Sequence, residues 1–365
     1  MIPRTLRYGA LLAAAALLVT ACGSTAGGGG DAAGGSVESG GTAIFVDGAD
    51  PKQLNPAIST DPQVIRPGLA MFEGLTWSDS NLEIHPELAE SWEISDDGTV
   101  YTFHLRQNAT WHDGTPFTAD DVVYNLQDVL PLRPTGKVAA SRLSAAEAVD
   151  PHTVRVTLTE PFAPLLLALS DDSAPLIPAH VYRGTDVLTN PANLTPVGTG
   201  PFAFQAYTPG SIVELVRNEN YWAGPVPLDK IIFSIIPDAN ARLLAFQSDE
   251  ADYLFGSFVD TSKVAQFRAT PGAVVGEGRN APAVFGVEFN VTRAPLDNPV
   301  VRQAIAVAID RELIVRSAFD GEATPSKSAF PIGITGSDND VDYDTQYAYD
   351  PDRARMMLAD AACPV

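Results

Sequence analysis

Residues 1–41 can contribute nothing to a folded core, and this decides where the rest of the chain must fold. Arg4 and Arg7 precede an apolar run from Gly9 to Val19, and small residues lead from there to Cys22. A positive start followed by a short apolar run is the layout of an export signal, residues 1–21. The run is too short and too rich in alanine for a membrane-spanning helix. Of the nineteen residues 23–41, nine are glycine and only Val37 is large and apolar. Such a stretch has nothing to bury and reads as a flexible tether spanning about 20–25 Å root-mean-square. The fold therefore begins at residue 42, outside the membrane.

The composition closes several functional classes. The chain of 365 residues is 45% hydrophobic and 19% charged, enough for two or more domains with real cores. Lys and Arg number 23 against 45 Asp and Glu, for a net charge of −22. That surface repels phosphate backbones, so no nucleic-acid partner is expected. The two cysteines, Cys22 and Cys363, supply neither a disulfide framework nor a cysteine zinc site. No His-Glu-x-x-His pair, Gly-x-Ser-x-Gly elbow or Cys–His nucleophile pair occurs, so no catalytic residue, metal or cofactor is assigned.

Local patterns predict an α/β chain with mixed sheets. Thr42–Val46, Leu88–Ile94, Val100–Leu105, Thr153–Leu158, Phe202–Tyr207, Ile212–Arg217, Ile231–Ile236 and Val284–Asn290 read as strands. Ser95-Asp-Asp-Gly98 is a turn between two of them, and Asp47 to Gln63, with three prolines, reads as a loop. Thr118-Ala-Asp-Asp121 opens a helix to about Leu130, and Phe162–Leu169 reads as helical. Asn240–Gln247 is a further helix, and Asn298-Pro299 starts one carrying Val301, Ala304, Ile305, Ala308 and Ile309. Asp310 caps the next, and Tyr349-Asp350-Pro351 leads into the last, expected to stop at Pro364.

Val19-Thr-Ala-Cys22 resembles a bacterial lipobox, which implies that Cys22 is lipidated and becomes the new N-terminus. A wider resemblance begins at Glu87-Leu-Ala-Glu-Ser-Trp92. It continues through Tyr101-Thr-Phe-His-Leu-Arg106, Trp111-His-Asp-Gly-Thr-Pro-Phe117 and Thr118-Ala-Asp-Asp-Val122. Val197-Gly-Thr-Gly-Pro-Phe202, Arg217-Asn-Glu-Asn-Tyr-Trp222, Val301-Arg-Gln-Ala304, Ala308-Ile-Asp-Arg311 and Tyr349-Asp-Pro-Asp-Arg-Ala354 follow in order. These blocks, over roughly 42–365, are similar to extracellular solute-binding proteins of family 5, the peptide, oligopeptide and nickel receptors of ABC importers.

The resemblance implies a two-lobed periplasmic-binding-protein-like fold with an extra subdomain in lobe I. Lobe I would span 42–275, with the subdomain at about 86–190. Residues 276–365 would be the crossover and the first part of a lobe II that is incomplete, since the family's pattern continues beyond Val365. The implied function is a lipid-anchored receptor on the outer face of the bacterial membrane. It would capture di- or oligopeptides as a monomer and deliver them to an ABC permease. The alternatives are a secreted lipoprotein hydrolase or an inactive truncated relative. Three segments would face the ligand: Leu54, Asn55, Ser59 and Thr60; Asp171 and Ser173; and Phe255, Ser257, Phe289 and Asn290.

Other conspicuous residues have plainer readings. Gly98, Gly114, Gly198 and Gly200 mark turns that need glycine's backbone freedom. Trp92, Tyr101, Phe103, Trp111, Tyr221 and Trp222 are expected to pack rather than to line a ligand. His112-Asp113 reads as a turn, and Gly276-Glu-Gly-Arg-Asn-Ala281 lacks the helix a dinucleotide fingerprint requires. Asp338, Asp340, Asp342 and Asp344 read as a solvated acidic face, because Tyr343 and Tyr349 stand where a calcium loop needs Gly and Glu.

Overall fold

The computed structural model describes residues 39–79, 81–255, 261–276, 286–326 and 343–361. Eleven strands among them form three sheets. They are β1 (Thr42–Asp47), β2 (Thr76–Ser78), β3 (Ile84–Pro86), β4 (Ala89–Ile94), β5 (Val100–Leu105) and β6 (Leu143–Asp150). β7 (Thr153–Leu158), β8 (Phe202–Thr208), β9 (Ile212–Arg217), β10 (Lys230–Ile235) and β11 (Tyr253–Leu254) complete the set. The larger sheet runs β11-β1-β10-β9-β8, a second runs β4-β5-β7-β6, and β2 pairs with β3. The fold is thus mixed α/β with several sheets.

In the four-stranded sheet every pairing is antiparallel. β5 buries Tyr101, Phe103 and Leu105, and β7 buries Val154, Val156 and Leu158, by the alternation a half-buried strand demands. Their inner face packs on Trp111, Phe117, Leu126 and Leu165. Trp92 and Trp222 lean on the same cluster half-buried, as packing residues. The Ser95–Gly98 turn forms as expected. Gly98 has φ +68°, and Asp97 accepts hydrogen bonds from the Thr99 backbone and the Ser95 hydroxyl. A second core joins Met71, Phe72, Tyr182, Phe202, Leu215 and Phe233 beneath the larger sheet.

The helix starts follow their caps. The Thr118 N–H donates to the buried Asp121 carboxylate at 3.0 Å, and Trp111 Nε1 donates to the same group at 3.3 Å. That helix is α only over Ala119–Tyr124; Asn125–Val129 widens to a π turn and Leu130–Leu132 tightens to 3₁₀. Asn298, Asp310 and Asp350 each accept a first-turn N–H, at 2.9, 2.8 and 2.9 Å. Replacing Asn298 by Ala is expected to lower stability by about 1 kcal/mol, the usual worth of an N-cap. A urea midpoint unchanged by that substitution would show the cap to be idle.

Several expectations need correction. The Asp47–Gln63 loop contains a 3₁₀ turn (Pro56–Ile58), and a helix, Pro62–Met71, starts within its last two residues. Pro62 sits at the first helical position, where its missing N–H is harmless, so proline there marks a start rather than a break. Phe162–Leu169 narrows to a helix over Leu165–Ala168. β6 was not anticipated: Leu-Ser-Ala-Ala-Glu-Ala-Val-Asp has weak strand propensity, and pairing with β7 decides its state. Residues 286–290 are not in a strand, while 284 and 285 lie outside the described residues. In the Pro299–Ala308 helix the buried side chains are Val301, Ala304 and Val307, whereas Ala308 faces solvent. Asp338, Asp340, Asp342, Pro364 and most of the 276–281 motif also lie outside the described residues.

Candidate functional site

The larger sheet has a topological switch. β1 pairs in parallel with β10 on one side, register Thr42↔Lys230 to Asp47↔Ile235, and in parallel with β11 on the other. The carboxyl ends of three parallel strands therefore open at one edge, where open α/β sheets bind ligands. Asp47, at the end of β1, is buried and accepts from Arg66 at 3.0 Å. The Arg66 guanidinium lies 4.2 Å over the Phe255 ring, just past β11. Phe255 also meets Phe45 edge-on at 6.0 Å and stacks on Phe233 at 6.4 Å. One ion pair and one aromatic cluster thus tie the ends of β1 and β11 to the helix Pro62–Met71.

The loop after β1 is anchored from outside and inside. Tyr207 Oη and the Gly210 N–H both donate to Asp50 at 3.0 Å. Leu54 is fully buried, and its N–H donates to the Asn193 carbonyl at 2.7 Å. Asn55 is fully buried as well. Its amide donates to Asn193 Oδ1 at 2.9 Å and its oxygen accepts from the Ala57 N–H at 2.9 Å. Both side chains are packed into the core and hold the shape of the loop. Ser59 is nearly buried, its hydroxyl held by the Asp61 N–H at 3.1 Å, and Thr60 is exposed.

The second segment follows the Leu165–Ala168 helix. The Asp171 N–H donates to the Thr76 carbonyl at 2.9 Å, and burial pushes the half-buried carboxyl up to about 6. Ser173 is half-buried. The first and second segments meet at Arg133, which donates to the Pro56 carbonyl and to the Asp172 carbonyl. Phe289 is half-buried, and Asn290 closes its own turn, accepting from the Thr292 N–H at 3.1 Å. Ser257 and Cys22 lie outside the described residues.

Just past the Pro62–Met71 helix lies a cluster of acids that local patterns do not single out. Glu73, in Phe-Glu-Gly-Leu, is buried. It accepts from Tyr221 Oη at 2.8 Å and from Trp222 Nε1 at 3.0 Å. Burial nevertheless lifts its carboxyl to about 7. Glu87 accepts from the Gly74 N–H at 2.7 Å and is lifted to about 10, first by burial and then by the charges of Glu73 and Asp171. Arg106 opposes both shifts, but its guanidinium also stacks 3.8 Å above Trp222. An acid between Phe72 and Leu75 was the signal available in the sequence.

The Val197–Pro201 segment crosses the end of the Pro62–Met71 helix. His112 Nδ1 accepts from the Gly198 N–H at 3.1 Å, so the proton sits on Nε2 and is donated to the Gly200 carbonyl at 3.0 Å. Burial lowers the His112 pKa and keeps the ring neutral. Gly98 and Gly114 do have positive φ. Gly198 and Gly200 are needed for a different reason than expected: a Cβ on either would run into the Met71 backbone. His112-Asp113 is thus a structural turn, with Asp113 accepting from or pairing with His180 at 2.7 Å.

The model of the bacterial extracellular solute-binding proteins, family 5 (middle region), matches residues 83–364, and the chain belongs to this family. It is 34% identical over 303 residues to heme-binding protein A of Haemophilus influenzae, covering 77% of this chain and 54% of that protein. It is 29% identical to the dipeptide-binding protein of Escherichia coli, covering 88% and 63%. Among solved structures, DppA of Helicobacter pylori, a periplasmic binding protein in complex with the peptide STSA, superposes with a TM-score of 0.78 at 29% identity. That match covers 90% of this chain and 67% of that one. The chain spans 54 to 63% of the length of these two curated relatives. The relatives are solute-binding proteins rather than enzymes, and the solved neighbours are two-lobed periplasmic binding proteins.

Proposed function

We propose that this chain is the capture component of an ABC importer, held outside the cell membrane by a lipid on Cys22, and that its solute is a short peptide. The observation that carries the reading is the switch at the ends of β1, β10 and β11. Thr60 follows β1 and Phe255 follows β11 in the chain, and Asp171 and Ser173 would complete the wall from a segment joined to the first loop through Arg133. β11 is a two-residue edge strand, so the sheet offers backbone groups to an extended ligand, which would lie alongside as an added strand. Lobe I, 42–275, supplies this wall. A hinge near Gly276–Phe289 would let a second lobe close over the solute. Differential affinity for the closed form would drive that motion, and a membrane permease would read the closed shape. The chain acts as a monomer and breaks no bond. The similarity to dipeptide-binding and peptide-bound relatives supports peptide as the solute class.

Calorimetry with defined di-, tri- and tetrapeptides, hemin and a nickel–histidine complex is expected to give saturable binding for a peptide, with the peptide recovered intact by mass spectrometry. Binding of hemin or nickel–histidine alone would overturn the peptide assignment. Binding of none, or cleavage of the peptide, would overturn the receptor reading.

A further inference from the structure

Arg133 follows the 3₁₀ turn Leu130–Leu132 and is 3% exposed. Burying a guanidinium is strongly unfavourable unless its donors are met. Among the described residues no carboxylate hydrogen-bonds it. Instead the planar fork reaches three ways: to the Pro56 carbonyl, to the Asp172 carbonyl, and from Nε to Thr135 Oγ1 at 3.0 Å. Pro56 belongs to the loop carrying Ser59 and Thr60. Asp172 sits between Asp171 and Ser173. Beside Arg133 the core leaves a small cavity of about 10 Å³, lined mainly by apolar side chains such as Leu75, Leu126, Val129 and Leu169, with Ala57 from the first loop.

We propose that Arg133 is a positioning residue for solute capture, a buried clamp that sets two ligand-facing loops, 54–60 and 171–173, at a fixed separation without touching solute. The proposal rests on the reading of those loops as the cleft wall. Only a guanidinium can serve it: a lysine ammonium is a point donor and cannot hold carbonyls in divergent directions. If the loops occupy the competent arrangement only a tenth of the time without the clamp, apparent affinity falls about tenfold.

The experiment is native-state hydrogen exchange on the whole chain with Arg133→Met and Arg133→Lys. The amides of Ala57 and Ser59, and those of Asp171, Ser173 and Ala174, are expected to lose protection at least tenfold. Phe103 and Val154 in the β5–β7 ladder should keep theirs. Lysine should restore one loop at most. Should Arg133→Met fail to fold, Arg133→Lys alone carries the comparison. Uniform loss across the molecule, loss at a single loop in Arg133→Met, full restoration by lysine, or no loss would each overturn the clamp. In calorimetry, a peptide that the wild type binds should bind Arg133→Lys about tenfold more weakly, and equal affinity would overturn the positioning role. A wild type that binds no peptide would overturn the function proposed above while leaving the exchange result to be read on its own.

Discussion

Between pH 5 and pH 9 the chain is expected to lose stability, and Glu73→Gln with Glu87→Gln is expected to remove most of that loss. Both carboxyls are raised in the folded state, to about 7 and about 10. A raised carboxyl binds its proton more tightly when folded than when unfolded. Its contribution is complete below the ordinary carboxylate value. It declines as pH rises through the folded value, because only the folded chain still holds the proton. For Glu73 alone the difference is on the order of 3 kcal/mol, a large part of a typical domain's stability. The donors from Tyr221 and Trp222 favour the ionised form and temper the shift, but desolvation dominates. Glutamine mimics the protonated acid in shape and keeps an acceptor for Tyr221. Urea unfolding at several pH values, wild type against the double variant, is the measurement. Parallel pH profiles would mean that neither acid is protonated in the folded chain.

Gly198→Ala is expected to be among the most damaging single-atom additions in the molecule, at about 3 kcal/mol or more. Its new methyl would occupy the place of the Met71 carbonyl oxygen. Neither side can yield. Gly198 is held by His112 through both backbone and ring, and the Met71 oxygen already accepts from the Gly200 N–H at 2.9 Å. Gly114→Ala is the control. Gly114 has φ +87° but open space where the Cβ would stand, so its cost is only the backbone penalty of about 1 kcal/mol. If the two variants unfold at the same urea concentration, close approach is not what Gly198 provides.

These two effects differ in how far they could be read from the chain. That Gly114 needs its backbone freedom was legible, because a Trp-His-Asp-Gly turn is a local matter. That Gly198 needs to be small was not, because the obstructing carbonyl lies more than a hundred residues earlier in the chain. The burial of Leu54 and Asn55 was not legible for the same reason. Leu-Asn-Pro among prolines looks like loop, and only the Asn193 partner, 138 residues away, turns Asn55 inward. The helix Pro62–Met71 was hidden by its own prolines, whose meaning depends on whether they fall at the first helical position or inside.

The amino-acid order alone settled the family and the local starts: the Ser95–Gly98 turn, the Asn298 and Asp310 caps, and the strands β5, β7 and β10 with the alternation of β7. Each depends on groups within a few residues of one another, so neighbouring chemistry determines it. The tertiary structure alone decided the burial of Glu73 against Tyr221 and Trp222, the reach of Arg133 across 77 residues to Pro56, and the close approach at Gly198. Burial, dielectric and steric contact belong to the space that distant segments enclose, and no local pattern encodes that space.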